Sequence, residues 1–334
     1  MAYGTTTYGD INQRTAGYAA ADMLGHAEPV IILSKMGLTK PMPKNKAEKI
    51  IFRRPIPLGP ATQPVTEGVT PTAQKIKYED VETTLKQYGR PIEITDKVTD
   101  LSEDPVMATA TMLAGEQAGE TIEAVLYGVL KGGTNVIFAN GASRSAVNTP
   151  ISLNKQRAAT RVLAAQKAKK ITRMLSSGPA YGVSAVEAAY VGVAHTDLES
   201  DIRNMTGFIP TAKYGTRQTI SDHELGTVES VRYVLSPDLA PWENAGGAPS
   251  GAVVSSNGTQ ANVYPVLILG QDAFGQVPLK GKEAITPYVL QPGTPSKSDP
   301  MAQRGYVSWK TWYTAVILND LWMVRMEVAV SALS

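Results

Sequence analysis

"FRRPIPLGPATQPVTEGVTP", residues 52–71, is the stretch whose reading decides the fold. Its twenty residues hold five prolines and two glycines. It is a stiff, polar-faced excursion with strand-like sequence on both sides. "KIIF" (49–52) leads in and "QKIKYEDVETTLKQYG" (74–89) leads out, with Ile76 and Tyr78 alternating with Lys75, Lys77 and Glu79. Such alternation marks a strand with one wet face. The pair predicts a long hairpin with a Pro/Gly-rich tip. A lone two-stranded hairpin is marginal in water. The large apolar residues of the stretch are Phe52, Ile56, Leu58, Val65 and Val69, too few to order twenty residues by their own contacts. The stretch therefore needs a surface to lean against.

Working outward, residues 1–37 read as an arm: "AGYAAADMLGHAEPVIILSKMG" has short helical character interrupted by Gly25 and Pro29. Residues 104–131 are the clearest helix. Asp104 is a good N-cap, Pro105 suits the first helical position, and Gly132–Gly133 stop the run. Ala118, Ile122, Val125 and Val129 form its stripe, and the helix is roughly 40 Å long. Gly115 and Gly119, four apart on one face, predict close backbone approach by another element. A second helix is expected from Leu153 to Leu175 with Ser152 as N-cap. "EAAYVGVAHTDLESDIRNM" (187–205) reads as a buried strand followed by a capping box of Thr196 and Glu199. Residues 215–300 mix short strands with Gly/Pro/Ser turns. "GYVSWKTWYTAVIL" (305–318), a turn at Asn319–Asp320 and "LWMVRMEVAV" (321–330), in which Val324, Met326, Val328 and Val330 alternate, predict a terminal hairpin.

Of 334 residues, 43% are hydrophobic and 19% charged, which excludes a disordered chain. A formal net charge of +2 does not suggest a nucleic-acid coat, and without cysteine there is no thiolate chemistry. The N-terminus lacks a basic and apolar secretory pattern, and the longest apolar runs fall short of the ~20 residues of a membrane span. A soluble, non-secreted protein is expected.

Charge is segregated along the chain. Residues 98–130 contain no Lys or Arg but include Glu116, Glu120 and Glu123, which share a helix face. Residues 124–186 contain no Asp or Glu but include Arg157, Arg161, Lys169 and Arg173. Either these are solvated faces balanced within one chain, or acidic and basic surfaces meet across subunits. In the second case these seven residues, together with Phe52, Arg53, Arg54, Pro57, Pro60, Pro64 and Glu67 of the hairpin, are the candidate inter-subunit contacts.

Chemistry is sparse. His195, Asp197, His223 and Glu224 could be offered to a metal, but neither histidine has the i, i+4 partner of a helical zinc site. Paired catalytic carboxylates at Glu116 and Glu120 would sit in the middle of a strut. No nucleophile elbow, phosphate loop or dinucleotide fingerprint occurs. Trp309, Trp312, Tyr313 and Trp322 could stack bases but fall in apolar strands, where core packing is expected. No enzyme activity, cofactor or metal is predicted.

The order of arm, early hairpin, strut helix, mixed central region and C-terminal strands resembles the major capsid proteins of tailed bacteriophages, which have the HK97-like fold. The local sequence resembles the N4-like group among them. The stretches that carry this are "AEPVIILSKMGLTKPMPKNKAEKIIFRR", "TEGVTP", "YGRPIEITD", "DPVMATATMLAGEQAGETIE" and "DPMAQRGYVSWKTWYTAVILND". They lie in the first 125 and last 36 residues; residues 176–298 match by order and length alone. The resemblance implies an α+β fold divided into an N-terminal arm (1–37), an extended E-loop (38–88), a peripheral domain (89–150) with a spine helix at 104–131, an axial domain (151–298) and C-terminal strands (299–334) returning to the peripheral domain. It implies self-assembly as hexamers and pentamers into an icosahedral head around double-stranded DNA. The expected partners are a portal protein, scaffolding and decoration proteins, and non-specific DNA contact, with no membrane. The protein would be made in the host cytoplasm and reside in the virion. The arm leaves no room for a cleaved scaffolding segment before it, so a separate scaffold, or none, is expected. The rival readings are an encapsulin-like cargo shell and a metal enzyme using His195 and His223.

Overall fold

The computed structural model describes residues 31–102, 105–175, 183–215, 217–279, 288–293, 295 and 299–333. The helical character expected before residue 31 and the Asp104 cap lie outside them. The described chain begins on a short 3-10 turn at Leu33–Lys35 and the strand β1 (Leu38–Thr39). β2 (Lys49–Pro55) and β3 (Tyr78–Thr84) form the expected antiparallel hairpin, from Lys49 opposite Thr84 to Pro55 opposite Tyr78. Residues 56–77 between them contain no helix or strand and are exposed throughout. β4 (Lys86–Thr95) then leads through α1 (Asp96–Leu101) to α2 (Val106–Leu130), the strut helix. Pro105 occupies the N-cap position of α2 and not its first turn.

α2 buries different faces in its two halves. Ala110, Ala114 and Ala118 pack with Ile94, Val98, Val307 and Trp309. Leu126, Tyr127 and Leu130, almost on the opposite side at ~100° per residue, pack with Ile32, Leu33, Val191 and Phe274. The close approach read from its glycines holds at one of the two. A Cβ on Gly119 would lie 2.8 Å from Ile31 Cδ1, whereas Gly115 has nothing within 4 Å. The approaching group is an arm side chain, not backbone.

β5 (Val136–Phe138) precedes α3 (Leu153–Ala165), which ends ten residues before the sequence reading. The cause is Lys167, at φ 54°. Its N–H donates to Ala164 and that of Ala168 to Leu163, the paired bonds of a Schellman stop. Ser152 is extended at the N-cap but makes no side-chain cap bond. The chain continues as β6 (Ile171–Leu175) and β7 (Val183–His195), the expected buried strand, whose residues 189–194 are buried. No Thr196–Glu199 capping box forms. His195 Nδ1 accepts from the Asp197 N–H and caps a 3-10 turn that leads into α4 (Glu199–Arg203). The remaining strands are β8 (Phe208–Pro210), β9 (Glu224–Val228), β10 (Val231–Ser236), β11 (Tyr264–Leu269), β12 (Phe274–Pro278), β13 (Tyr288–Leu290), β14 (Arg304–Ile317) and β15 (Met323–Val328).

Among the described residues, two sheets flank α2. One has the order β1-β12-β14-β13, with β4 also paired to β14. The other has the order β5-β15-β11-β7-β10-β9-β8, with β6 paired to β7. The predicted terminal hairpin does not form. β14 pairs with β4, β12 and β13, while β15 crosses to the second sheet between β5 and β11. The alternation itself holds, since Val324, Met326, Val328 and Val330 share one core. Periodicity states which face is buried, not which strand lies alongside. No described helix is long and apolar enough to cross a membrane.

Candidate inter-subunit surface

The hairpin stem settles its own charges. Arg53 makes a bidentate pair with Asp80 (2.8 and 3.0 Å), Arg54 pairs with Glu79 (2.7 Å), and Lys49 pairs with Glu82. The hydrogen bonds from Arg53 hold the Asp80 carboxyl below its usual range. Phe52 is half-buried beside Met42, Leu85 and Val277 of its own chain. Phe52, Arg53 and Arg54 thus make contacts within their own chain, with both arginine side chains still partly exposed. The tip differs. Pro57, Pro60, Pro64 and Glu67 are exposed, Leu58 is 57% and Val65 71% exposed, and Glu67 has no ion-pair partner among the described residues.

The acidic face of α2 is interrupted. Glu120 is exposed and Glu116 half-buried, but Glu123 is 3% exposed and accepts from the backbone N–H groups of Ile32 (2.9 Å), Leu33 (2.5 Å) and Ser34 (3.2 Å). The arm crosses the helix here, over Gly119 and Glu123, and covers the face that would otherwise continue the stripe. Gln276 holds the same arm segment by donating to Thr39 Oγ1 at 2.6 Å and to the Ser34 carbonyl, and Tyr313 donates to Gln276 at 3.1 Å. Burial pushes the Glu123 carboxyl up from its usual range, partly offset by its backbone donors.

The basic stretch is also partly spent within the chain. Arg157 pairs with Glu229 of its own chain at 2.5 Å and keeps its side chain about half exposed. Arg161 and Lys169 are exposed, and Arg173 lies in β6 with its side chain outside the described residues.

A second cationic group surrounds Trp242, near the C-terminal end of α2. Lys131 Nζ lies 4.3 Å and Arg144 Cζ 3.6 Å from the indole centroid, and Arg325 Cζ lies 5.6 Å away. Buried Glu327 accepts two bonds from Arg144, each 2.8 Å, and one from Arg325 at 3.0 Å. Lys131 donates to the Ala240 carbonyl at 3.0 Å. Burial, then repulsion by Arg144 and Arg325, lowers the Lys131 pKa.

His195 and Asp197 are neighbours (3.3 Å), with Tyr264 donating to Asp197 at 2.8 Å. His223 is exposed, while Glu224 is taken by Arg232 at 3.0 Å and by the Tyr214 hydroxyl at 2.7 Å. Among the described residues no three His, Cys, Asp or Glu side chains gather as a metal site. Trp309 and Tyr313 are core residues. Sequence reasoning missed the roles of Glu123 and the Trp242 group. The available signal for Glu123 was its place one turn before Leu126 and Tyr127 and two before Leu130, on the same helix face. Nothing local links Lys131, Arg144, Trp242 and Arg325, which are brought together by the sheet.

A family model described as phage capsid protein matches residues 78–325. A curated major capsid protein of Pseudomonas phage KPP21 is 24% identical over 127 residues, 36% of this chain; the aligned stretch spans 32% of that relative's length. The capsid of Ralstonia phage GP4 superposes with a TM-score of 0.70 at 11% identity, covering 100% of this chain and 99% of that one. The capsid structure of cyanophage P-SCSP1u gives a TM-score of 0.63 at 13% identity, covering 95% and 94%. At these identities the structural likeness shows the fold.

Proposed function

The chain belongs to the phage capsid protein family and has the HK97-like α+β fold, and we propose that it is a structural major capsid protein whose copies build the icosahedral head of a tailed phage around double-stranded DNA. The observation that carries this reading is the hairpin tip. Residues 56–77 are exposed throughout and free of helix and strand. A segment placed in this way has its ordering surface on another molecule, and in a shell that molecule is a second copy.

The fold supports the proposed division of labour. In this reading α2, β4 and β14 would belong to the peripheral body and the sheet built on β7, β10 and β11 to the axial one, with β14 in the first sheet and β15 in the second. The narrower N4-like assignment rests on the five quoted sequence stretches. Hexamers and pentamers of this chain, a portal, scaffolding and decoration proteins, and non-specific DNA contact are the proposed partners, with synthesis in the host cytoplasm and residence in the virion shell.

Expressed protein imaged by negative stain is expected to show closed shells or their capsomers. Protein that stays monomeric at high concentration, with and without scaffold, overturns the reading. Particles from infected cells that hold cargo protein in place of DNA would favour the encapsulin-like alternative.

A further inference from the structure

We propose that the cationic group around Trp242 is a receptor for an acidic side chain of a second copy of this chain. The inference rests on the assembly reading above and names a contact within it. Three cations, Lys131, Arg144 and Arg325, converge on one indole, and a single buried carboxylate, Glu327, answers them. Among the described residues the local balance is three positive charges against one negative. The hydrogen-bonding capacity is also unspent. Arg144 gives Nε and Nη2 to Glu327, which leaves Nη1. Arg325 gives Nε to Glu327 and Nη1 to the Lys131 carbonyl, which leaves Nη2. Lys131 gives one of three protons to Ala240. The spare donors surround a half-buried aromatic ring, a setting in which an ion pair is screened less than on open surface.

A carboxylate suits this arrangement better than a nucleic-acid backbone. A duplex presents one charge per ~1.7 Å and is met by rows of cations, whereas these cations converge on one point. The chain as a whole carries a net charge of only +2. It also offers acids without ion-pair partners among the described residues: Glu67, the one acidic residue of the hairpin tip, and Glu120 on α2. A second copy thus supplies the charge that the first one lacks.

Carbodiimide cross-linking of wild-type shells tests this. The reagent activates a carboxyl group, and the Lys131 amine displaces the urea leaving group to form an amide. Shells are assembled from a mixture of ordinary and heavy-nitrogen-labelled chain, and the peptides are sequenced by mass spectrometry. The expected product joins Lys131 to an aspartate or glutamate in mixed-isotope pairs. Lys131 that is unlinked, linked only within its own chain, or linked only to nucleic acid overturns the proposal. Absence of any shell counts against the assembly reading instead, and against this site with it.

The variant Lys131→Gln gives a second readout. Loss of one partner of this partly buried charge pair should raise the concentration needed for half-assembly on the order of tenfold. The free chain should melt close to wild type, because relief of the repulsion from two guanidiniums offsets the loss of the Ala240 bond and the indole contact. A fall in melting temperature that accounts for the assembly loss would mark Lys131 as structural and sink the proposal.

Discussion

Glu123 receives three backbone N–H groups in a buried site, so truncating it strands donors that water cannot reach. Glu123→Ala is expected to cost about 1–3 kcal/mol, the usual penalty for unsatisfied buried groups, read from the denaturant midpoint. The pH dependence follows from the direction of its shift. Burial raises the folded-state pKa above the unfolded value of about 4.3. The contribution of Glu123 is then complete below the unfolded value and declines as pH rises through the folded one. The gap between wild type and Glu123→Ala should accordingly narrow as pH rises from about 4. A gap that widens over that range would show that the three donors outweigh burial. The same residue alters the test of charge segregation: Glu116 and Glu120 alone belong in a charge-reversal experiment, since reversing Glu123 would dislodge the arm.

The hairpin and strut helix were legible as elements because their signals are local: two-residue alternation on the flanks of a proline-rich tip, and a long periodic run closed by paired glycines. The end of α3 was not legible, because a lysine occupies the position where glycine normally announces a helix stop. Lys167 sits at φ 54°, a conformation that costs an L-residue roughly 1–2 kcal/mol. Lys167→Gly should therefore stabilise the protein by up to about 1 kcal/mol, after the greater flexibility of glycine in the unfolded chain is deducted. A denaturation midpoint unchanged or lowered would mean that the lysine side chain contributes more than its backbone costs. The terminal strands and the Trp242 group were hidden for a different reason. β14 and β15 carry correct strand patterns, but apart from β13 their partners lie far off in the chain, and no pattern within either strand names them. The division of the charged residues was likewise invisible. Arg157 and Arg161 read alike in sequence, yet one finds Glu229 across the fold and the other finds solvent.

For the whole molecule, the hairpin tip makes two predictions about shells. The first is chemical. Residues 58–72 contain neither Lys nor Asn, so the tip lacks both partners of an isopeptide weld. Shells of this chain boiled in detergent should run as one band near 35.6 kDa; a ladder of multimers would contradict this. The second is energetic and concerns where the tip is ordered. Fixing about twenty residues costs roughly 1–2 kcal/mol each. Against this, Leu58, Val65 and Val69, with exposures of 57%, 71% and 61%, forgo most of the ~1.5–3 kcal/mol that full burial of each would contribute. The stem is different: its three cross-strand ion pairs and Phe52 tie it to its own chain. The dividing line between folding and assembly thus falls near the bond from the Ile56 N–H to the Lys77 carbonyl, not at Phe52. Replacing Pro57–Ile76 with Asn-Gly, which suits a tight hairpin turn, should leave a monomer that melts cooperatively within a few degrees of the parent yet forms no closed shells. A variant that fails to fold would place the tip in the core of its own subunit. Normal shells would show that the tip bridges nothing.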